Sequence, residues 1–193
     1  MTRSEAGVQA DACGGRLLDR AIGFALTTVQ AVTPDMLARR TPCAAWDLGM
    51  LLVHLGESLA ALHEGMSAGR VGRESEPGTP PDDPVSALRV RAVRVLRASA
   101  ALDAVAVGDR RLPGGMLARA GALEVAVHGW DIAQATGKPR PIPPLLAEDL
   151  LAVCPLVLPE PPRGPLFAAP VEPPPDAFGG ERLVALLGRR PMA

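Results

Sequence analysis

The sequence predicts a mainly all-α protein: an antiparallel bundle of four main helices followed by a short proline-rich C-terminal appendage. Three observations carry that expectation. Four segments repeat their apolar residues at helical spacing, clusters of Pro and Gly separate them, and there is little strand signal. With 193 residues the chain can bury a core without disulfides. We divide it at residue 140, with residues 1–140 as the bundle and residues 141–193 as an appendage packed on it, with room there for a small strand pair or an extra helix.

The first helix runs from Arg16 to Val32, with Leu18, Ile22, Ala25, Val29 and Val32 on one face, and Pro34 stops it. A loop with Pro42, Cys43 and Trp46 leads to Asp47, the expected N-cap of a second helix, Leu48 to Gly65, striped by Leu48, Leu51, Leu55, Ser58 and Leu62. Ser67 to Asp82, dense in Gly, Pro, Ser and Glu, reads as an exposed loop. Asp83 before Pro84 opens a third helix to about Ala101, with Val85, Leu88, Ala92, Val95 and Leu96 inward. Its Arg91, Arg94 and Arg97 are expected on a solvated face, whereas Arg89 borders the core. Pro113, Gly114 and Gly115 turn the chain into a fourth helix, about Met116 to Thr136, which Gly137 and Pro139 end. In the appendage, Leu145 to Leu156 suits a helix, Pro159 to Pro175 is too proline-rich for one, and Glu181 to Leu187 suits a short closing helix.

Lys+Arg 20 against Asp+Glu 21 leaves a net charge of -1, and no basic run is interleaved with aromatics, which argues against nucleic acid as a partner. Cys13, Cys43 and Cys154 are odd in number and lack CxxC spacing, so a disulfide framework and a cysteine zinc site are not expected, and a reducing cytoplasm fits. Charged Glu5, Asp11 and Arg16 interrupt the N-terminal apolar residues, so neither a signal peptide nor a membrane span is expected. The expected partner is a small-molecule substrate, with a homodimer left open.

Glu124 and His128 stand four apart on the fourth helix, one turn above each other on one face, and Asp131 continues that face. His54 lies on the second helix beside its apolar stripe, whereas His63 falls roughly opposite on the helical wheel and is not a candidate ligand. Two imidazoles and a carboxylate are a set that zinc accepts, with a fourth position open for water or substrate. An isolated Glu-x-x-x-His serves equally as an ion pair or a hydrogen-bonded core histidine, so spacing leaves both readings open.

Several stretches go further: Thr41-Pro42-Cys43-Ala44-Ala45-Trp46-Asp47 running into Leu51-Leu52-Val53-His54-Leu55, then Glu124-Val125-Ala126-Val127-His128-Gly129-Trp130-Asp131-Ile132-Ala133, and the closing Glu181-Arg182-Leu183-Val184-Ala185-Leu186-Leu187-Gly188-Arg189-Arg190-Pro191. In order and separation these resemble the mycothiol-dependent maleylpyruvate isomerase-type, metal-binding DinB-like family of actinobacteria. The resemblance implies a DinB-like four-helix bundle holding a divalent metal, zinc in the first place, on His54, Glu124 and His128. Nickel and iron also suit that ligand set. Asp131 is then expected to orient an imidazole through its free N–H, against the alternative of a helix-surface acid. Mycothiol or a similar low-molecular-weight thiol is the implied cosubstrate.

The sequence also departs from the family. Ala45 stands where an acidic residue is usual and Gly49 and Met50 where charged ones are, so the mouth near helix two is more apolar. The long second domain of the isomerases proper is expected to have no counterpart here, nor is any group recruited from it identified. Cys43, ahead of a helix N-terminus, could be read as a nucleophile, but a buried, inert thiol is the expectation. Trp46 and Trp130 are read as packing anchors at helix ends, either of which could wall the site. Three functions follow. The leading one is a metal- and thiol-dependent isomerase or S-transferase acting on a small electrophilic metabolite, with His54, Glu124, His128 and Asp131 carrying the chemistry. The others are a hydrolase using metal-activated water and a non-catalytic small-molecule binding protein.

Overall fold

The computed structural model describes residues 3–43, 46–72, 81–98, 104–159 and 168–190, with side chains from residue 13 onward. The fold is mainly all-α. Helices α1 (Arg3–Val29), α2 (Leu48–Ala68), α3 (Pro84–Arg97) and α4 (Gly114–Ala135) form the bundle, followed by α5 (Pro144–Val157) and α6 (Gly179–Leu186). Strands β1 (Arg70–Val71), β2 (Ala104–Val107) and β3 (Arg110–Pro113) make one small sheet in the order β1-β2-β3, the first pair parallel and the second antiparallel.

Helix α4 lies between α1 and α2, and α5 also packs on it. Its buried residues run from Gly115 to Ala135 and occupy nearly every face, so a polar side chain on its inner faces must be paired there. From α2 come Leu48, Leu51, Leu52 and Leu55, all with no exposed surface, each burial contributing roughly 2 kcal/mol. The two helices approach closely because Gly121 of α4 lies under Leu62 of α2, where a Cβ would come within 2.5 Å of the leucine methyl. That closeness brings side chains of α2 and α4 to a shared point.

The entry to α2 is fixed by its surroundings. The Asp47 carboxylate accepts from Met50 N–H at 2.8 Å, and the Arg39 and Leu37 carbonyls accept from Leu48 and Gly49 N–H at 2.9 and 2.8 Å. Arg39 in turn donates to the Thr136 carbonyl at 3.1 Å, tying this loop to the C-terminal end of α4.

Several expectations change. Helix α1 begins at Arg3 rather than Arg16, although Gly14 and Gly15 interrupt its pattern. Gly14 packs where a Cβ would sit 2.9 Å from the Gly115 carbonyl, so small size rather than helix propensity suits it to this place. The expected loop from Ser67 instead continues α2 to Ala68 and forms β1, while residues 73–80 lie outside the described residues. Helix α3 ends at Arg97; the expected extension to Ala101 reaches residues 99–101, outside the described ones. On α3, Leu96 is 41% exposed and Arg89 is exposed, whereas Arg91 is half-buried with its guanidinium over Gly56 of α2. A missing side chain at Gly56 makes the room that the helical wheel does not show. Among the described residues of 141–193 there are helices and no strand pair, the sheet lying between α2 and α4 in sequence. Cys13, Cys43 and Cys154 form no disulfide, and Cys43 is half-buried rather than buried. No helix among the described residues is long and apolar enough to cross a membrane.

Candidate metal centre

Three side chains converge between α2 and α4. His54 Nε2 lies 2.8 Å from Glu124 Oε1, and His128 Nε2 lies 3.3 Å from the same oxygen. One potential ligand atom from each of His54, Glu124 and His128 falls within 4.8 Å of the others. A tetrahedral ion at about 2.0–2.2 Å from each donor would separate the donors by roughly 3.4 Å, so small side-chain adjustments turn this cluster into a coordination shell. Ser58, one turn beyond His54 on α2, donates its hydroxyl to Glu124 Oε1 at 3.3 Å. His63 is not part of the cluster.

The surroundings assign the proton on His128. Its Nδ1 lies 3.0 Å from Asp131 Oδ2, which also accepts from Arg189 Nη2 at 3.4 Å. Oδ2 is thus an acceptor and Nδ1 the donor, which in a neutral imidazole leaves a lone pair on Nε2. That lone pair faces Glu124 Oε1, itself an acceptor. Two acceptors at this distance repel unless a proton or a cation lies between them. Burial disfavours a charged His128, but the hydrogen bonds to Asp131 and Glu124 outweigh it, and its pKa is pushed up to about 9. Burial likewise opposes a charged Glu124, yet donation from His128 and His54 holds its carboxyl well below the usual carboxylate range. Without an ion the cradle retains a proton, and the same donors suit a divalent metal.

Aromatic packing completes the α2 side. Trp46 lies over His54 with ring centroids 4.2 Å apart, and its ring is 5.9 Å from that of His128. The Thr41 hydroxyl holds the turn before α2, bonded to the Cys43 and Trp46 carbonyls at 2.9 and 2.8 Å. Trp130, by contrast, is buried in the core. Of the apolar positions expected at the mouth, Met50 is 51% exposed one turn before His54, Gly49 is half-buried, and Ala45 lies outside the described residues. Asp131 has no exposed surface, so it is not a helix-surface acid.

Sequence reasoning missed two contributors. Ser58 was legible, being four residues after His54 and on the same face. Arg189 was not: it arrives from 58 residues beyond Asp131, and only the fold brings it there.

No solved structure matches the chain significantly. Two uncharacterized proteins from two strains of Mycobacterium tuberculosis are each 29% identical to it, over 82% of this chain and 87% of the relative. The family model described as the mycothiol maleylpyruvate isomerase N-terminal domain matches residues 18–133, a span that contains His54, Glu124, His128 and Asp131. With well over half its length matched and those residues gathered at one point, the chain belongs to the mycothiol maleylpyruvate isomerase N-terminal domain family.

Proposed function

We propose that this protein is a metal- and thiol-dependent isomerase or S-transferase that acts on a small electrophilic metabolite, with mycothiol or a similar thiol as cosubstrate. The observation that carries the reading is the convergence of His54, Glu124 and His128 on one point, with His128 Nε2 3.3 Å from Glu124 Oε1, where a cation can take the place of the proton, while Nδ1 is committed to Asp131. His54, Glu124 and His128 would hold the ion. When bound, a divalent metal such as zinc supplies the Lewis acidity that keeps a thiol ionised at neutral pH.

The chain's own residues do the rest. Glu124 contributes the negative charge that balances the ion, and Ser58 steadies its carboxylate. Asp131 holds the His128 ring in the tautomer that presents Nε2. Trp46 and Met50 give the α2 side an apolar wall and rim, which favours a compact substrate whose reacting carbon is shed from water. Addition of the thiol sulfur to an activated double bond, rotation about the resulting single bond and expulsion of the same sulfur isomerises the substrate with no net use of thiol. If the sulfur stays attached and the electrophile carries a leaving group, the product is a thioether.

The test is turnover of α,β-unsaturated carboxylates by zinc-loaded protein, with and without added thiol. We expect product only when both are present, and Glu124→Gln to lose bound metal and turnover together. Turnover without thiol would favour hydrolysis by activated water, and stoichiometric ligand retention with no product would favour a binding protein; either contradicts the proposal.

A further inference from the structure

Arg189 reaches the centre from the far end of the chain, and the turn that aims it is specific. After α6 the Gly188 N–H bonds to the Ala185 carbonyl and the Arg189 N–H to the Val184 carbonyl, both at 2.9 Å, with Gly188 at φ 76: the paired bonds of a Schellman ending. A Cβ at position 188 would lie 2.5 Å from the Ala168 Cβ and 2.7 Å from the Ala169 carbonyl oxygen, so this turn excludes a side chain. Chain direction then reverses and sends Arg189 inward, where its side chain is only 14% exposed. Its Nη1 is pinned to the Leu187 carbonyl at 2.9 Å and its Nη2 points at Asp131 Oδ2.

As a stabilising ion pair this contact is poorly made. The Nη2 to Oδ2 distance is 3.4 Å, and among the described residues Asp131 Oδ1 and Arg189 Nε are buried with no hydrogen-bond partner. Burying a charged pair so incompletely satisfied brings little net stability. What the contact does is confine the Asp131 carboxylate, whose accepting oxygen is the one that receives the His128 Nδ1–H at 3.0 Å.

We infer that Arg189 is a positioning residue for the metal centre: by holding Asp131 Oδ2 against Nδ1 of His128 it keeps Nε2 aimed at the ion. The inference rests on the metal reading above. It makes the C-terminal segment part of a site whose ligands all lie within the family-matched residues 18–133. Groups that orient a ligating imidazole typically affect metal affinity by about 10–100-fold.

The experiment measures zinc dissociation constants by chelator competition for the full-length protein and for Arg189→Met, Asp131→Asn and the double variant, together with the visible spectra of the cobalt-substituted forms. We expect Arg189→Met to weaken zinc about tenfold or more and to shift the cobalt bands. The double variant should bind no more weakly than Asp131→Asn alone, because both act through one carboxylate. Arg189→Gln keeps a donor and is expected at roughly threefold weaker; it carries the test if the Met variant does not fold. Zinc affinity within twofold of the unaltered protein in both Arg189 variants, or losses that simply add in the double variant, overturns the inference while leaving the metal reading intact. An unaltered protein with no zinc affinity overturns both.

Discussion

His128 on α4 and His54 on α2 meet the same carboxylate oxygen, but the two sides of the centre are built differently. The His128 side chain is 5% exposed, and its far nitrogen is tied to Asp131, which Arg189 confines in turn. The His54 side chain is 33% exposed and is backed by the Trp46 ring; no hydrogen bond to its Nδ1 is found among the described residues. One side is fixed by polar groups with almost no freedom inside a helix buried on most faces. The other is held by a ring stack at the edge of the bundle, where the helix entry is set by loop carbonyls. A polar-braced imidazole on α4 and a more exposed, ring-backed one on α2 is the division of labour that the proposed site would use, one side to hold an ion and the other to face a substrate.

The sharpest way to break this comparison is to remove each imidazole. His128→Gln is expected to abolish stoichiometric metal and turnover together. His54→Gln should keep measurable, weaker zinc binding, because water can reach the vacated position. Equal losses in metal titrations of the two variants would show that the sides are equivalent.

A pH series sharpens it further. In metal-free protein His128 holds its proton more strongly when folded, since its pKa is raised from 6.5 to about 9. Its contribution to stability is therefore fully present below about pH 6.5 and is lost as pH rises through about 9. The melting temperature of metal-free protein should fall by several degrees across that window. Zinc must replace the same proton, so its affinity should rise with pH over the same range. Opposite trends in metal-free and zinc-loaded melts are the expected signature; parallel trends would place the titrating group elsewhere.

Smaller effects are expected on the α2 side. Trp46→Ala removes a ring stack contributing about 0.5–1.5 kcal/mol, so zinc affinity should weaken by roughly two- to tenfold, with a larger effect on substrate KM than on metal content. Steady-state kinetics and metal analysis on the same preparation check this.

The legible parts of the molecule were those in which chemistry and local periodicity coincide. His54, Glu124 and His128 sit on strongly patterned helices, and the four-residue step from Glu124 to His128 fixes their shared face before any fold is known. The small sheet was missed although Ala104 to Val107, Gly108-Asp109 and Arg110 to Pro113 make a two-residue hairpin signal, because the Ala-Val-Ala-Val of β2 has no polar position and the Arg-Arg-Leu-Pro of β3 only one large aliphatic residue, so neither four-residue strand shows apolar and polar alternation. Arg91 was misread because its burial depends on what α2 lacks at Gly56, a property of a neighbour rather than of its own helix. Arg189 lay beyond sequence reasoning altogether, since its place follows from how α6 docks on α5 and how Gly188 turns the chain.

The most direct measurement is an anomalous-scattering map from crystals of the zinc-loaded protein. A single peak about 2.0–2.2 Å from His54 Nε2, His128 Nε2 and a Glu124 carboxylate oxygen is the expected result. Zinc bound elsewhere, or absent with both imidazoles still hydrogen-bonded to Glu124 Oε1, would contradict the account.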